Sequence, residues 1–307
     1  MRFVSSPVVA ILFFFGFAAS LFAVEPIRVM SFNIRMSLAD DKENAWPLRK
    51  DFLIEVVRQT PYDFIGMQEA VVDPRPEYNQ VDFVVGKMPE YDSIWLSREK
   101  TPEKGEAMLL LYKKDRWEID KDDSGTFWLS DTPEEPGSKT WPKAGCPRVV
   151  TFGRFHELAE GKRTGFSIYV YNTHYDHMSE EARQRAAVLA MDRVAARRSR
   201  TTPGVLMGDL NCGEKSPAIR YMQGDAMTLD GVVKTPPLAL TDTFRAANPE
   251  AVEVGTFNSF KKPGTGKIDY IFTTPDLKTK EARILRTQRD GKYPSDHFPI
   301  DVVLLAP

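Results

Sequence analysis

In this 307-residue sequence, apolar runs repeatedly end in residues able to handle a proton, a cation or an oxyanion. The runs are Met30-Ser31-Phe32-Asn33, Ile65-Gly66-Met67-Gln68-Glu69, Tyr169-Val170-Tyr171-Asn172-Thr173-His174 and Val205-Leu206-Met207-Gly208-Asp209-Leu210-Asn211. Buried strands that deliver polar groups at their tips are how rigid scaffolds build active sites. Glu69 and Asn33 offer hard oxygen ligands suited to magnesium or manganese, with water completing the shell, and Asp296 is a further oxygen donor for that shell. Asp209 and Asn211 flank a single residue, so in an extended segment both point the same way and can serve one phosphate. Of four histidines, His156, His174, His177 and His297, the second and fourth fall inside such motifs. Hydrolysis of a phosphate ester needs an activated water, a divalent cation and donors that neutralise charge on the phosphoryl oxygens. The set contains each part.

These residues need strands to hold them. Short apolar segments alternate with a few helical stretches and no repeat, an α/β pattern. Strands are predicted at Ile27–Ile34, Asp63–Glu69, Tyr91–Leu96, Ala107–Tyr112, Trp117–Asp120, Val149–Glu157, Phe166–Thr173, Val205–Leu210, Ile268–Thr273 and Pro299–Leu305. Helices are predicted at Leu48–Gln59, with Leu48, Phe52, Leu53, Val56 and Val57 on one face, and at Glu180–Arg198, with Ser179 as its N-cap. The arginines at 193, 197, 198 and 200 then form the solvated C-terminal end of the second helix, where cations suit the helix dipole.

Composition narrows the class. With 42% hydrophobic and 27% charged residues, this is an ordinary folding chain with enough residues for a substantial core. Residues 3–24 carry no charge after Arg2 and end in small residues near Ala23, which predicts a signal peptide at 1–23, followed by one domain at 24–307. The expected location is therefore periplasmic or secreted, with no membrane span once the signal is removed; the competing reading is an uncleaved anchor. The formal charge of −2 does not indicate nucleic acid as a partner, although it leaves one possible. Cys146 and Cys212 are too few for a disulfide framework, and whether they pair is open.

The ordered set Ser-Phe-Asn33, Gln-Glu69, Asn-Thr-His174, Gly-Asp209-Leu-Asn211, Ile-Asp269-Tyr and Ser-Asp296-His297 resembles the endonuclease/exonuclease/phosphatase superfamily and is similar to deoxyribonuclease I. Gly105-Glu106, Thr126-Phe-Trp-Leu-Ser130, Cys146-Pro-Arg148 and Gly255-Thr-Phe257 resemble a bacterial exported branch and the catalytic domain of deadenylases. The resemblance implies an α/β (α+β) four-layer sandwich of two packed mixed sheets flanked by helices, with the site at one edge. It implies that Asp209 orients or deprotonates the attacking water and that Asn211 donates to a phosphoryl oxygen. It further implies that His174 and His297 contact the phosphate, with Glu106 and Asp269 as their respective carboxylate partners. Arg148 is a phosphate-facing candidate through its place in Cys-Pro-Arg, against a surface ion pair. Trp141, in a loop near Pro142, is read as a substrate contact and Cys212 as packing.

The expected activity is a magnesium- or manganese-dependent hydrolase that cleaves phosphate esters with activated water, acting as a monomer. Within that class, a nuclease for DNA or RNA calls for a basic patch, and a sphingomyelinase-like phospholipase for an exposed apolar loop; the sequence shows neither clearly. From a different class, a catalytically silent binding protein of the same fold would show broken motifs. Here every key position is chemically competent.

Overall fold

The computed structural model describes residues 25–101 and 103–307, so the proposed signal segment lies outside the described residues. The strands are β1 (Ile27–Asn33), β2 (Phe64–Val72), β3 (Tyr91–Ile94), β4 (Gly105–Lys113), β5 (Trp117–Trp128), β6 (Val149–Ala159) and β7 (Lys162–His174). They continue with β8 (Gly204–Asp209), β9 (Met227–Leu229), β10 (Val232–Lys234), β11 (Thr241–Asp242), β12 (Asp269–Thr273), β13 (Lys278–Ile284) and β14 (Ile300–Leu305). The helices are α1 (Trp46–Val57), α2 (Gln80–Lys87), α3 (Glu180–Ala195), α4 (Pro217–Met222) and α5 (Thr243–Ala247).

Two mixed six-stranded sheets result, in the orders β13-β14-β1-β2-β4-β3 and β11-β12-β8-β7-β6-β5. Each is antiparallel except for one central parallel pair, β1 with β2 and β7 with β8. A parallel pair needs a crossover, and α1 and α3 supply it. Central strands covered on both faces read as continuous apolar runs, which is why they stood out in the sequence.

Alternation of side chains sorts these runs into layers. Val29, Phe64, Leu110, Val170, Val205 and Met207 meet between the sheets. Met30, Phe32, Ile65 and Leu109 face the other way, onto Trp46, Leu53 and Val57 of α1 and Val84 of α2. Tyr169, Tyr171, Leu206 and Tyr270 face α3 and α4 through Ala186, Ala190, Met191 and Ile219. The arrangement is the expected four-layer sandwich.

Polar pins cross the apolar middle. Gln68 Nε2 donates to Asn172 Oδ1 at 2.7 Å, and Asn172 Nδ2 donates to the Met67 and Leu109 carbonyls at 3.0 Å each. Gly66 makes room for this contact, since a Cβ there would lie 2.7 Å from Met207 Cε and 2.9 Å from Asn172 Oδ1.

Three local expectations change. Leu48 points to solvent, while Trp46, Arg49 and Ile54 join the buried face of α1. The strand expected at Trp117–Asp120 runs on to Trp128 across a register shift between Asp120 and Ser124. α3 stops at Ala195, where Arg197 turns back to donate to the Val194, Arg200 and Thr202 carbonyls. Among the described residues, no helix is long and apolar enough to cross a membrane.

Candidate active site

The parallel pairs place their C-terminal ends at one edge of the sandwich. Asn33 lies opposite Gln68 in the β1–β2 register, and His174 opposite Asp209 in the β7–β8 register. β12 starts beside β8 with Asp269 opposite Asp209, and the segment before β14 brings Asp296 and His297 to the end of β1.

Local backbone irregularity aims several of these groups. Glu69 sits at φ 61° within a register shift between Met67 and Ala70, so a bulge turns its side chain toward the edge. Gly208 is required just before Asp209: its φ is 150°, and a Cβ would fall 1.8 Å from the Thr173 carbonyl oxygen. Asn211 reaches the site from a left-handed turn (φ 50°) whose N–H donates to Asp209 Oδ1 at 2.9 Å. The extended alternation expected for Asp209 and Asn211 is therefore replaced by a tight turn.

A cleft of about 380 Å³ opens over these ends. At its centre the Asp209 carboxylate accepts from Asn33 Nδ2 at 3.0 Å and faces His174 Nε2 at 3.3 Å and His297 Nε2 at 3.7 Å. Burial pushes the Asp209 carboxyl up, but the charges of His174 and His297 and the donors from Asn211 and Asn33 outweigh it and hold the group below the usual carboxylate range.

Each histidine has a second carboxylate behind it. His297 Nδ1 lies 2.9 Å from Asp269 Oδ2. Burial disfavours the imidazolium, yet Asp269 and Asp209 together raise its basicity well above the ordinary histidine value. Asp269 itself is pushed up by burial. Behind His174, Nδ1 stands 3.4 Å from Glu106 Oε1. Asn211 Nδ2 donates to the Tyr175 carbonyl at 3.0 Å, which fixes the amide orientation, and reaches His174 Nε2 at 2.8 Å.

Glu106 is fully buried, and burial alone would raise its carboxyl; Arg98, His174 and Arg148 bring it down to about 2. Arg98 Nη1 and Arg148 Nη1 lie 2.7 and 3.3 Å from Glu106 Oε1.

At the other end stand Glu69 and Asp296. Glu69 accepts from Asn33 Nδ2 at 3.0 Å and from the Met36 N–H at 2.8 Å, while Asn33 Oδ1 accepts from the Arg35 N–H at 3.0 Å. Asn33 thus presents its nitrogen to Glu69 and Asp209, in place of the oxygen ligand expected of it. Burial raises the Asp296 carboxyl, Glu69 adds like-charge repulsion, and the nearest guanidinium, Arg35 Nε, stays at 3.7 Å. Two hard oxygen donors repelling each other at a cleft wall fit a divalent cation. Asp209, Asp269 and His297 also offer ligand atoms within 4.8 Å of one another and form a second group able to hold a metal ion.

Arg49 braces this end from behind. Buried under Trp46, it donates through Nε to the Asn44 carbonyl, through Nη1 to those of Ile34 and Pro294, and through Nη2 to that of Arg35.

All ten residues singled out from the sequence gather at this edge: eight of them line the cleft, Asn33 bonds to Glu69 and Asp209 behind it, and Asp269 bonds to His297. Arg35, Arg98, Cys146, His177 and Phe257 line it as well and were not among the ten. Phe257, whose ring meets that of His297 edge-on, lay in a quoted motif without a role; His177 lies outside the motifs; Arg98 sits in a charged loop that carries no signal. Trp141 corrects an expectation: it is buried against α3 with Nε1 donating to Asp131, away from the cleft. Asp176 spends its carboxylate on the N–H groups of Gly145, Met178 and Ser179. Cys146 and Cys212 are both free thiols, and Cys212 packs in the core. A larger cleft of about 610 Å³ near Arg197 and Thr274 lies at the opposite ends of β8 and β12 and gathers no comparable acid–base pairs.

The profile of the Endonuclease/Exonuclease/phosphatase family matches residues 30–297. An endonuclease/exonuclease/phosphatase from Bacteroides vulgatus is 30% identical and superposes with a TM-score of 0.79 over 92% of this chain and 99% of its own. A family protein from Bacteroides thetaiotaomicron is 27% identical, with a TM-score of 0.77 over 92% and 98% of the two chains. A mannosyl-6-phosphatase from Bacteroides thetaiotaomicron is 28% identical, with a TM-score of 0.74 over 91% and 99%. No curated protein matches the sequence.

Proposed function

We propose, for a chain that belongs to the endonuclease/exonuclease/phosphatase family and is a phosphoesterase, that it hydrolyses small phosphate esters of sugar-phosphate size with the help of magnesium or manganese. The observation that carries the reading is the buried Asp209 carboxylate set between two histidines, each backed by a further carboxylate. The cleft volume suits a sugar-sized ligand, and a mannosyl-6-phosphatase lies among the similar structures.

Glu69 and Asp296, with Asn33 against Glu69, would hold the cation, which when bound supplies charge neutralisation at the phosphoryl group. The chain's own residues supply the rest. Ionised Asp209 orients a water and accepts its proton as the new P–O bond forms and the ester P–O bond to the leaving oxygen breaks. Protonated His297 presents an N–H to a phosphoryl oxygen or to the leaving oxygen, with Asp269 fixing its ring. Asn211 holds His174 in place through its amide N–H groups. Export belongs to the same proposal, supported by the apolar stretch after Arg2.

The test is turnover of p-nitrophenyl phosphate and of its bis-ester by the purified protein, with magnesium or manganese and with chelator. Asp209→Asn should lower kcat by about 10³-fold or more while the protein stays folded by circular dichroism. Turnover that survives in folded Asp209→Asn would overturn the assignment, and turnover indifferent to chelation would overturn the cation's part in it.

A further inference from the structure

We infer that the His174 end of the cleft is an anion subsite, and that the substrate carries a second acidic group, a carboxylate or a second phosphate, bound by Arg98 and Arg148. The inference rests on the phosphoesterase reading and deepens it.

Arg98 and Arg148 are each more than nine-tenths buried, and both line the cleft. They converge on one acceptor atom, Glu106 Oε1, which His174 Nδ1 also approaches. A single carboxylate oxygen cannot satisfy two guanidinium groups and an imidazole. Arg148 Nη2 reaches His177 Nδ1 at 3.1 Å, and its Nε is buried with no partner. Arg98 Nε has only the half-exposed Glu99, at 3.4 Å. The remaining nearby acid, Asp176, is committed to three backbone N–H groups.

Buried donors without acceptors are uncommon and call for a partner. Here the missing partner is acceptor-rich, since arginines present forked N–H groups matched to carboxylate and phosphate oxygens. Cys146, Asp176 and His177 also bring ligand atoms within 4.8 Å of one another. A cation there would face both guanidinium groups and find the Asp176 oxygens and His177 Nδ1 already engaged, so the chemistry favours an anion. The cleft is therefore bipolar: Glu69 and Asp296 line the end that suits a cation, Arg98 and Arg148 the end that suits an anion. The reacting phosphoryl group lies between them, over Asp209.

Two matched pairs of compounds test this. Glycerol 3-phosphate against 3-phosphoglycerate adds a carboxylate; glucose 6-phosphate against glucose 1,6-bisphosphate adds a phosphate. Affinities are measured by calorimetry on magnesium-loaded Asp209→Asn protein, and kcat/KM on the parent. A second charge-assisted pairing should tighten binding by about 10–100-fold in at least one pair, and the pair that responds identifies the acid. Arg148→Met should erase most of that difference, with Arg148→Lys restoring part of it. A role confined to holding Glu106 would instead lower kcat for both members of a pair equally. Equal affinity within both pairs on the Asp209→Asn protein overturns the subsite even where turnover upholds the phosphoesterase. Absence of turnover alongside a second-anion preference would fault the hydrolase reading and keep the subsite.

Discussion

Arg49 allows the site to be disturbed without altering a residue that lines it. Its four carbonyl acceptors belong to Ile34 and Arg35, directly after Asn33, to Pro294, two residues before Asp296, and to Asn44. Arg49→Met keeps the start of the stem but removes the guanidinium that lies over the Trp46 and Phe260 rings, and it leaves three of those carbonyls without a donor, since the Arg35 carbonyl still accepts from Gln80 Nε2. A buried acceptor left unsatisfied costs about 1–3 kcal/mol, so three give roughly 3–9 kcal/mol. Against this stands the desolvation of a buried cation, several kcal/mol, which also pushes the Arg49 guanidinium down to about 10. The net expectation is a loss of about 3–5 kcal/mol, or a Tm lower by roughly 10 °C at about 2–4 °C per kcal/mol. Cation binding then separates two effects of opposite sign. Removing a positive charge behind Glu69 and Asp296 would by itself tighten it, whereas relaxing the two loops would weaken it. Because Arg49 joins those loops through short hydrogen bonds and touches neither carboxylate, positioning should win, with Mn2+ affinity falling about tenfold. Thermal unfolding by circular dichroism and Mn2+ titration by electron paramagnetic resonance measure both quantities. Mn2+ binding that tightens or stays constant, at a temperature where both proteins are folded, would refute the bracing role.

Other outcomes follow from the same contacts. Asp269→Asn can still accept from His297 Nδ1 but removes the charge behind it, so kcat should fall about 10²–10⁴-fold with little change in KM, as steady-state kinetics would show. Glu106 contributes stability that is full above its ordinary value of 4.5 and lost as pH falls toward about 2; acid unfolding should lose on the order of 3 kcal/mol across that window, and Glu106→Gln should flatten this part of the curve. Gly208→Ala places a Cβ against the Thr173 carbonyl and should cost more than about 3 kcal/mol, visible as a lowered urea midpoint, whereas Gly213→Ala, which meets nothing, should not.

The central strands were legible because burial on both faces writes them as apolar runs, and their polar tips marked the site before any fold was known. Edge elements left fainter traces. β13 reads Lys-Thr-Lys-Glu-Ala-Arg-Ile and buries little, so its pairing with β14 carries no hydrophobic pattern, and α2 is too short for periodicity to stand out. Glu69 and Asn211 were found as residue types, but their aim comes from a bulge and a left-handed turn, neither of which a propensity for strand or turn reveals. Trp141 was misplaced because a proline-flanked loop resembles a surface loop, whereas this one folds back over α3. Arg49 was invisible as a site residue: its partners are backbone carbonyls from distant segments, which only the tertiary structure brings together.

The order of strands in the first sheet has a consequence for biogenesis. β14, the last strand, lies between β13 and β1, with Leu304 opposite Ile27. While the chain is still emerging, β1 has an open edge and Asp296 and His297 are missing from the site. The nascent protein therefore cannot close its first sheet or complete its site until β14 and the segment before it have been made.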